Sequence, residues 1–314
     1  MSSMASVLRL SDSEDDEQSS VKDVNPVLPV AAAPVAVPTA CRRRSSASPR
    51  MGSLVKKTKA LWFRDLPGIS TGLQLLSALQ IPSATMALEL CCGEGGLTKA
   101  LNAAGICAVG LDVKIHESHD IMNSGTRQII LDAFRGGKIQ YVHLGIPCNT
   151  HSPARYPKLR SKLCPRGLTG LADRDANILQ YANDLTDNLI HLGRQALEQG
   201  AVISIENPRA STLWSYDLLL SLEADYDSDV HDLHMWMFGE PYLKPTRVQT
   251  FGRSGFLQLG GLNRQCLGEH EHVRLSGWRS FQGQQLVPTH MASAYPARLC
   301  EAWAADVRKH LCRG

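Results

Sequence analysis

From about residue 60 onward, short apolar runs of strand length alternate with longer segments of helical period, and this alternation constrains the fold more than any other feature. "MALELCC" reads as a buried strand, "GGLTKALNAAG" as a helix closed by Gly105, "ICAVGLDV" as a second strand and "IQYVHLG" as a later one. "ANILQYANDLTDNLIHLGRQALEQG" reads as a long helix ending at Gly200, with the strand "AVISIEN" after it. Strand and helix in alternation predict an α/β fold with a mostly parallel, doubly wound sheet. In such a sheet ligands gather beyond the carboxyl ends of the strands.

Residues 1–55 are a different material: an acidic run "SDSEDDE", a Pro/Ala/Val tract, then "CRRRSSASPR". This composition cannot bury a core and predicts a disordered tail, leaving 56–314 as the folded domain with a small insertion at about 252–290. The Arg cluster reads as a solvated tail segment or as a nuclear-import or nucleic-acid patch. Over the 314 residues the formal net charge is +3, which permits an anionic partner without demanding one. Nine cysteines without a secretory leader read as reduced intracellular thiols, in the cytoplasm or, as the Arg cluster suggests, the nucleus. The apolar run "VLPVAAAPVAVP" is too short and too rich in proline to span a membrane, so no membrane partner is expected.

Three stretches fall on the carboxyl edge of the expected sheet. In "LELCCGEGGLTKAL" a strand ends in Cys91-Cys92-Gly93-Glu94-Gly95-Gly96 and a helix begins, so glycines allow close backbone approach and the helix start offers free amides. Asp112 closes the next strand about twenty residues on, where a carboxylate can accept from ribose hydroxyls, and Asp120 follows in "SHDI" as either an adenine contact or a solvated loop residue. The glycine pattern lacks the G-x-G-x-x-G spacing of dinucleotide folds. "VHLGIPC" then brings Cys148 to the same edge, and "AVISIENPR" brings Glu206, a carboxylate that is costly at the end of so apolar a strand unless paired or functional.

Taken in order and spacing, "ELCCGEGGL", "GIPCNTHS" and "SIENPR" resemble the motifs of the cytosine carbon-5 DNA methyltransferases, and most of all the compact phage and mobile-element members carrying "ENPR" and "KPTR". The resemblance covers roughly residues 85 to 310. It implies a Rossmann-like S-adenosylmethionine-dependent methyltransferase fold, with cofactor contacts from Glu89, Cys91, Gly93, Gly95, Gly96, Asp112, Asp120 and Pro147. It implies Cys148 as the nucleophile that adds to carbon-6 of cytosine, Glu206 as the acid at ring nitrogen-3, and Arg247 as a contact to the base carbonyl. The expected partner is DNA, with RNA as the alternative substrate and a decayed binding protein of the same fold as the non-enzymatic one.

Such chemistry needs positive charge to favour the thiolate, and Arg155 and Arg209 are the nearby candidates. Burial of Glu206 would help keep it protonated. The basic loop "SPARYPKLRSKLCPRG" suits phosphates through Arg155, Lys158, Arg160, Lys162 and Arg166, or is simply solvated. Asn149, Pro208 and Arg247 depart from the family's pattern, and "ASAYPARLCEAWA" resembles its closing segment, whose helix completes the cofactor pocket. No metal is expected. The cluster Cys266, His270 and His272 offers three zinc-type ligands but reads more readily as a polar turn, and His231 and His234 read as alternating on one strand face.

Overall fold

The computed structural model describes residues 86–255 and 292–311 continuously, with scattered positions from 257 to 286 and the pair Gly72 and Gln74. The tail 1–55, most of the insertion 252–290 and His270 lie outside the described residues.

Six strands form one sheet in the order β2-β1-β3-β4-β6-β5. They are β1 Met86–Leu90, β2 Cys107–Leu111, β3 Ile139–Leu144, β4 Val202–Pro208, β5 Ser228–His234 and β6 Pro245–Phe251. The first four run parallel, and β6 and β5 add an antiparallel pair beside β4. The helices α1 Gly96–Ala103, α2 Ser124–Arg135 and α3 Asp173–Glu198 provide the crossovers, and α4 Asp217–Asp225 and α5 Ala297–Leu311 complete the layers. A short hairpin of β7 Arg279–Phe281 and β8 Gln284–Leu286 stands apart from the main sheet. This is the expected Rossmann-like, doubly wound arrangement. The chain turns outward from β1 to β2 and then crosses to the other side of β1 for β3, so the switch point, where ligands settle, lies between the carboxyl ends of β1 and β3.

Strand pleating sorts each strand's residues onto two faces. Leu88 and Leu90 of β1, Val142 and Leu144 of β3, and Ile203 and Ile205 of β4 share one face in matching register, under α2, α3 and α4. The other face carries Ala87 and Glu89, Tyr141 and His143, then Val202, Ser204 and Glu206, and it packs under Leu97 and Leu101 of α1 and Leu299, Trp303 and Val307 of α5. Both faces are buried, but only the second is polar.

Candidate active site

Beyond β1 the chain turns sharply: Cys91, Gly93 and Gly95 all have positive φ, and Gly95 caps α1. A Cβ added at Gly93 or Gly95 would meet nothing within 4 Å, so the loop leaves an open cradle on its outer side. Asp112, just past β2, pins this loop from below. Its Oδ2 accepts from the Gly93 amide at 2.8 Å and its Oδ1 from the Lys114 amide at 2.8 Å. The helix start is less free than its sequence suggests, because Glu89 Oε2 accepts from both the amide and the hydroxyl of Thr98. Glu89 is thus a buried cap for α1, and burial lifts its carboxyl to about 7. Its other oxygen, Oε1, is buried with no hydrogen-bond partner.

Asp120 turns its Oδ1 to the Met122 amide at 2.9 Å, which leaves its second oxygen for a ligand. Val113 and Ile115 are exposed apolar residues immediately after Asp112. Tyr181 of α3 stands close enough to Asp120 and Cys91 that, after burial, their charges also push its hydroxyl upward. Carboxylates for a sugar diol, apolar side chains for a flat base and an open glycine cradle are a donor set that fits an adenosine-bearing cofactor.

The segment after β3 is fixed from both neighbours. The Gly145 amide donates to Leu90 O at 2.9 Å, prolonging the ladder with β1, and a Cβ at Gly145 would come within 2.7 Å of Cys91 O. Asn207 Nδ2 donates to Ile146 O at 2.8 Å from the β4 side. Pro147 is exposed, Cys148 is half-buried, and Cys148 O accepts from the amides of His151 and Ser152. Cys148 is therefore held rigidly at the switch point with its side chain part-way open.

Two residues past Ser204 on the same face of β4, Glu206 is 7% exposed, and its Oε2 accepts from the Tyr295 hydroxyl at 3.1 Å. Lys244 Nζ lies 3.9 Å from Glu206 Oε1 and donates to Ala292 O at 2.8 Å. Burial raises the Cys148 thiol, and the charge of Glu206 raises it further, while Lys244 lowers it. The sequence suggested Arg155 or Arg209 for this cationic role, but Arg155 is paired with Asp175 at 3.2 Å. The cation felt by the thiol is Lys244, which sequence reading passed over because it lies about a hundred residues away. Its signal was the "KPTR" segment itself.

Arg247 is not brought to this cluster. Opposed residues on β4 and β6 share a face, and Arg247 opposes Asn207 whereas Val248 opposes Glu206, so the pleat turns Arg247 to the other side. There its guanidinium is held by both oxygens of Asp232, at 2.8 and 3.1 Å, and lies over the Trp214 ring. The same two-residue period separates His231 from His234: three residues apart, they occupy opposite faces of β5 and do not form one stripe.

The three arginines of the basic loop, Arg155, Arg160 and Arg166, are engaged by the protein itself, largely through groups on α3 and α4. Arg160 is buried, donating to Thr150 Oγ1, Pro165 O and Asn183 Oδ1, and burial lowers its guanidinium to about 10. Arg166 pairs with Asp187 and Asp217. Lys158 and Lys162 remain exposed, beside Tyr156 at 89% and Leu163 at 94% exposure. The loop's solvent face is therefore two lysines with an aromatic and an aliphatic tip.

Among the described residues no group of three or more His, Cys, Asp or Glu side chains is placed to hold a metal. The Cys266 amide donates to His234 Nδ1 at 2.9 Å and the His272 ring packs edge-on against Trp236. No disulfide joins the cysteines described, and no described helix is long and apolar enough to cross a membrane.

No family model and no curated protein matches the sequence. Solved structures give partial likenesses. A DNMT2 mutant from Spodoptera frugiperda aligns at 16% identity and TM-score 0.34, over 54% of this chain and 50% of its own. The Dnmt2 methyltransferase of S. pombe aligns at 16% identity and TM-score 0.33, over 53% and 50%. The Entamoeba histolytica methyltransferase EhMeth aligns at 12% identity and TM-score 0.35, over 62% and 58%. The chain thus spans only about half the length of these structures, and a functional reading has to rest on the site.

Proposed function

We propose that this protein transfers a methyl group from S-adenosylmethionine to carbon-5 of cytosine in DNA. The observation that carries the reading is the placement of Cys148, four residues past β3, close enough to Glu206 at the end of the adjacent strand β4 to feel its charge, along the same sheet edge as an open glycine cradle anchored by Asp112. When bound, the cofactor supplies an electrophilic methyl group. Gly93, Gly95, Asp112 and Asp120 would hold it, with Val113 and Tyr181 against its base.

Carbon-5 of cytosine is a weak nucleophile. In this reading the Cys148 sulfur forms a bond to carbon-6, Glu206 donates its proton to ring nitrogen-3, and the ring electrons move to carbon-5, which takes up the methyl group. Release of the carbon-5 proton to water then restores the double bond as the sulfur leaves as a thiolate and ring nitrogen-3 returns its proton to Glu206. The charge coupling supports this division of labour. The charge of Glu206 raises the Cys148 thiol, so withdrawing that charge favours the thiolate nucleophile. Lys244, 3.9 Å from Glu206 Oε1, lowers the Cys148 thiol and so favours the thiolate as well.

Nucleic acid as the substrate is supported by the loop that follows Cys148. Lys158 and Lys162 suit phosphates, and the exposed Tyr156 and Leu163 suit the gap left when a base leaves its stack. The test is incubation of the purified protein with S-adenosylmethionine and cytosine-containing duplex DNA, followed by nucleoside analysis. 5-Methyldeoxycytidine is the expected product. Methylation confined to a parallel RNA substrate would move the reading to RNA, and methyl groups on the exocyclic amine would refute the roles given to Cys148 and Glu206.

A further inference from the structure

The polar face of the sheet carries an unbroken series of hydrogen bonds that ends on Glu206. Trp303 Nε1 donates to the Tyr141 hydroxyl at 2.9 Å, and Tyr141 and Ser204 Oγ are 2.6 Å apart. Ser204 Oγ is 2.8 Å from His143 Nδ1, His143 Nε2 is 3.0 Å from the Tyr295 hydroxyl, and Tyr295 donates to Glu206 Oε2. Trp303, Tyr141, Ser204 and His143 are each fully buried.

Tyr295 gives its one proton to Glu206, so its hydroxyl accepts from His143 Nε2–H, and this fixes the direction of the rest. The indole of Trp303 can only donate, and it occupies a lone pair of the Tyr141 hydroxyl. Ser204 in turn donates to His143 Nδ1, which leaves the imidazole neutral with its proton on Nε2. Burial, which lowers the His143 imidazole to about 3, keeps it in that neutral form. Nε2–H then donates to Tyr295, and Tyr295 donates to the carboxyl group. Series of this kind polarise one another in a low-dielectric interior.

We infer that the relay Trp303–Tyr141–Ser204–His143–Tyr295 fixes Glu206 Oε2 as an acceptor, so that the proton Glu206 gives to its substrate is carried on Oε1. The inference rests on the reading of Glu206 as an acid given above. Its second support is that Oε1 is buried without a hydrogen-bond partner while Oε2 accepts from Tyr295, so the two oxygens are not equivalent. Lys244 faces Oε1 at 3.9 Å, Cys148 feels the charge of Glu206, and Glu89 occupies the register position beside His143 on the same face. None of the relay members touches the reacting atoms. They are positioning residues, and no net proton passes along them.

Two readouts separate the relay from the activity. Nitrogen-15 NMR of histidine-labelled full-length protein, with the His143 signal assigned by its loss in His143→Gln, is expected to show a neutral imidazole protonated on Nε2, perturbed by Tyr295→Phe. A His143 protonated on Nδ1 would overturn the inference, because the relay would then run away from Glu206. In methyl-transfer assays Tyr295→Phe is expected to lower kcat by about 10- to 100-fold with the cofactor Kd nearly unchanged, and Ser204→Ala to act in the same direction more weakly. Unchanged kcat in Tyr295→Phe would also overturn it. An Nε2–H tautomer in a protein inert on cytosine would support the relay and count against the cytosine reading alone.

Discussion

The two faces of the parallel sheet are made from alternate residues of the same strands, yet they are built of opposite materials. One face presents Leu88, Leu90, Val142, Leu144, Ile203 and Ile205, and the other Glu89, Tyr141, His143, Ser204 and Glu206. Strands of a parallel sheet buried on both sides are ordinarily apolar throughout. The polar row costs desolvation at each position, offset only where a partner is found. The apolar face holds the fold together, and the polar face, roofed by α5, aims a carboxylate at the switch point.

That contrast makes its strongest demand on Glu206 and Leu144. Glu206→Gln is expected to reduce turnover by about 10²- to 10⁴-fold with little change in thermal stability. Leu144→Ala should do the reverse, losing about 2–5 kcal/mol of stability while each folded molecule stays active. Paired calorimetry and initial rates would show the crossing, and parallel losses in both variants would erase the distinction between the faces.

The cofactor half of the site is next in size. Asp112→Asn weakens the carboxylate that holds the Gly93 amide, and titration calorimetry is expected to show S-adenosylmethionine binding about 10- to 100-fold more weakly. Cys148 should still be alkylated normally in that variant, since the two halves are anchored separately.

A finer test reads the charges around the thiol. Burial and Glu206 raise the Cys148 pKa and Lys244 lowers it, so Glu206→Gln should move the pH profile of Cys148 alkylation to lower pH, and Lys244→Met should move it higher. Peptide mass spectrometry distinguishes Cys148 from the exposed Cys164. Movement of both profiles in one direction would break the assignment of opposite signs.

The smallest effect belongs to Arg247. Facing away from Glu206 and paired with a partly exposed Asp232, it should tolerate Arg247→Ala with a loss of about 1 kcal/mol or less in a thermal melt and with turnover nearly intact. A large loss of turnover would restore the base contact that its motif suggested.

These differences also mark what the sequence could carry. The placement of the glycine turn, Asp112, Cys148 and Glu206 on one edge was legible because each sits at or just past the end of an apolar run, and in a parallel sheet all such ends converge on one edge. Lys244 and Tyr295 were not legible, because they reach the site from loops about forty and ninety residues beyond Glu206, and loop length says nothing about where a loop folds back. Arg247 misled because its motif was matched without its strand register, and one residue of register decides the face. Arg160 misled because a basic run was counted as surface, whereas its buried guanidinium ties Thr150 and Pro165 to Asn183 of α3. A signal for the polar face was present all along: His143 and Ser204 interrupt apolar strands at positions that burial would ordinarily exclude.

The central claim, that Cys148 and Glu206 form a covalent cytosine-methylating pair, is tested most directly with duplex DNA whose cytosines are replaced by 5-fluorocytosine, offered with methyl-labelled S-adenosylmethionine. Fluorine cannot leave as a proton does, so the protein is expected to be trapped as a label-carrying protein–DNA adduct that disappears in Cys148→Ser. Absence of any adduct with 5-fluorocytosine DNA, and again with 5-fluorocytosine RNA, would contradict the account.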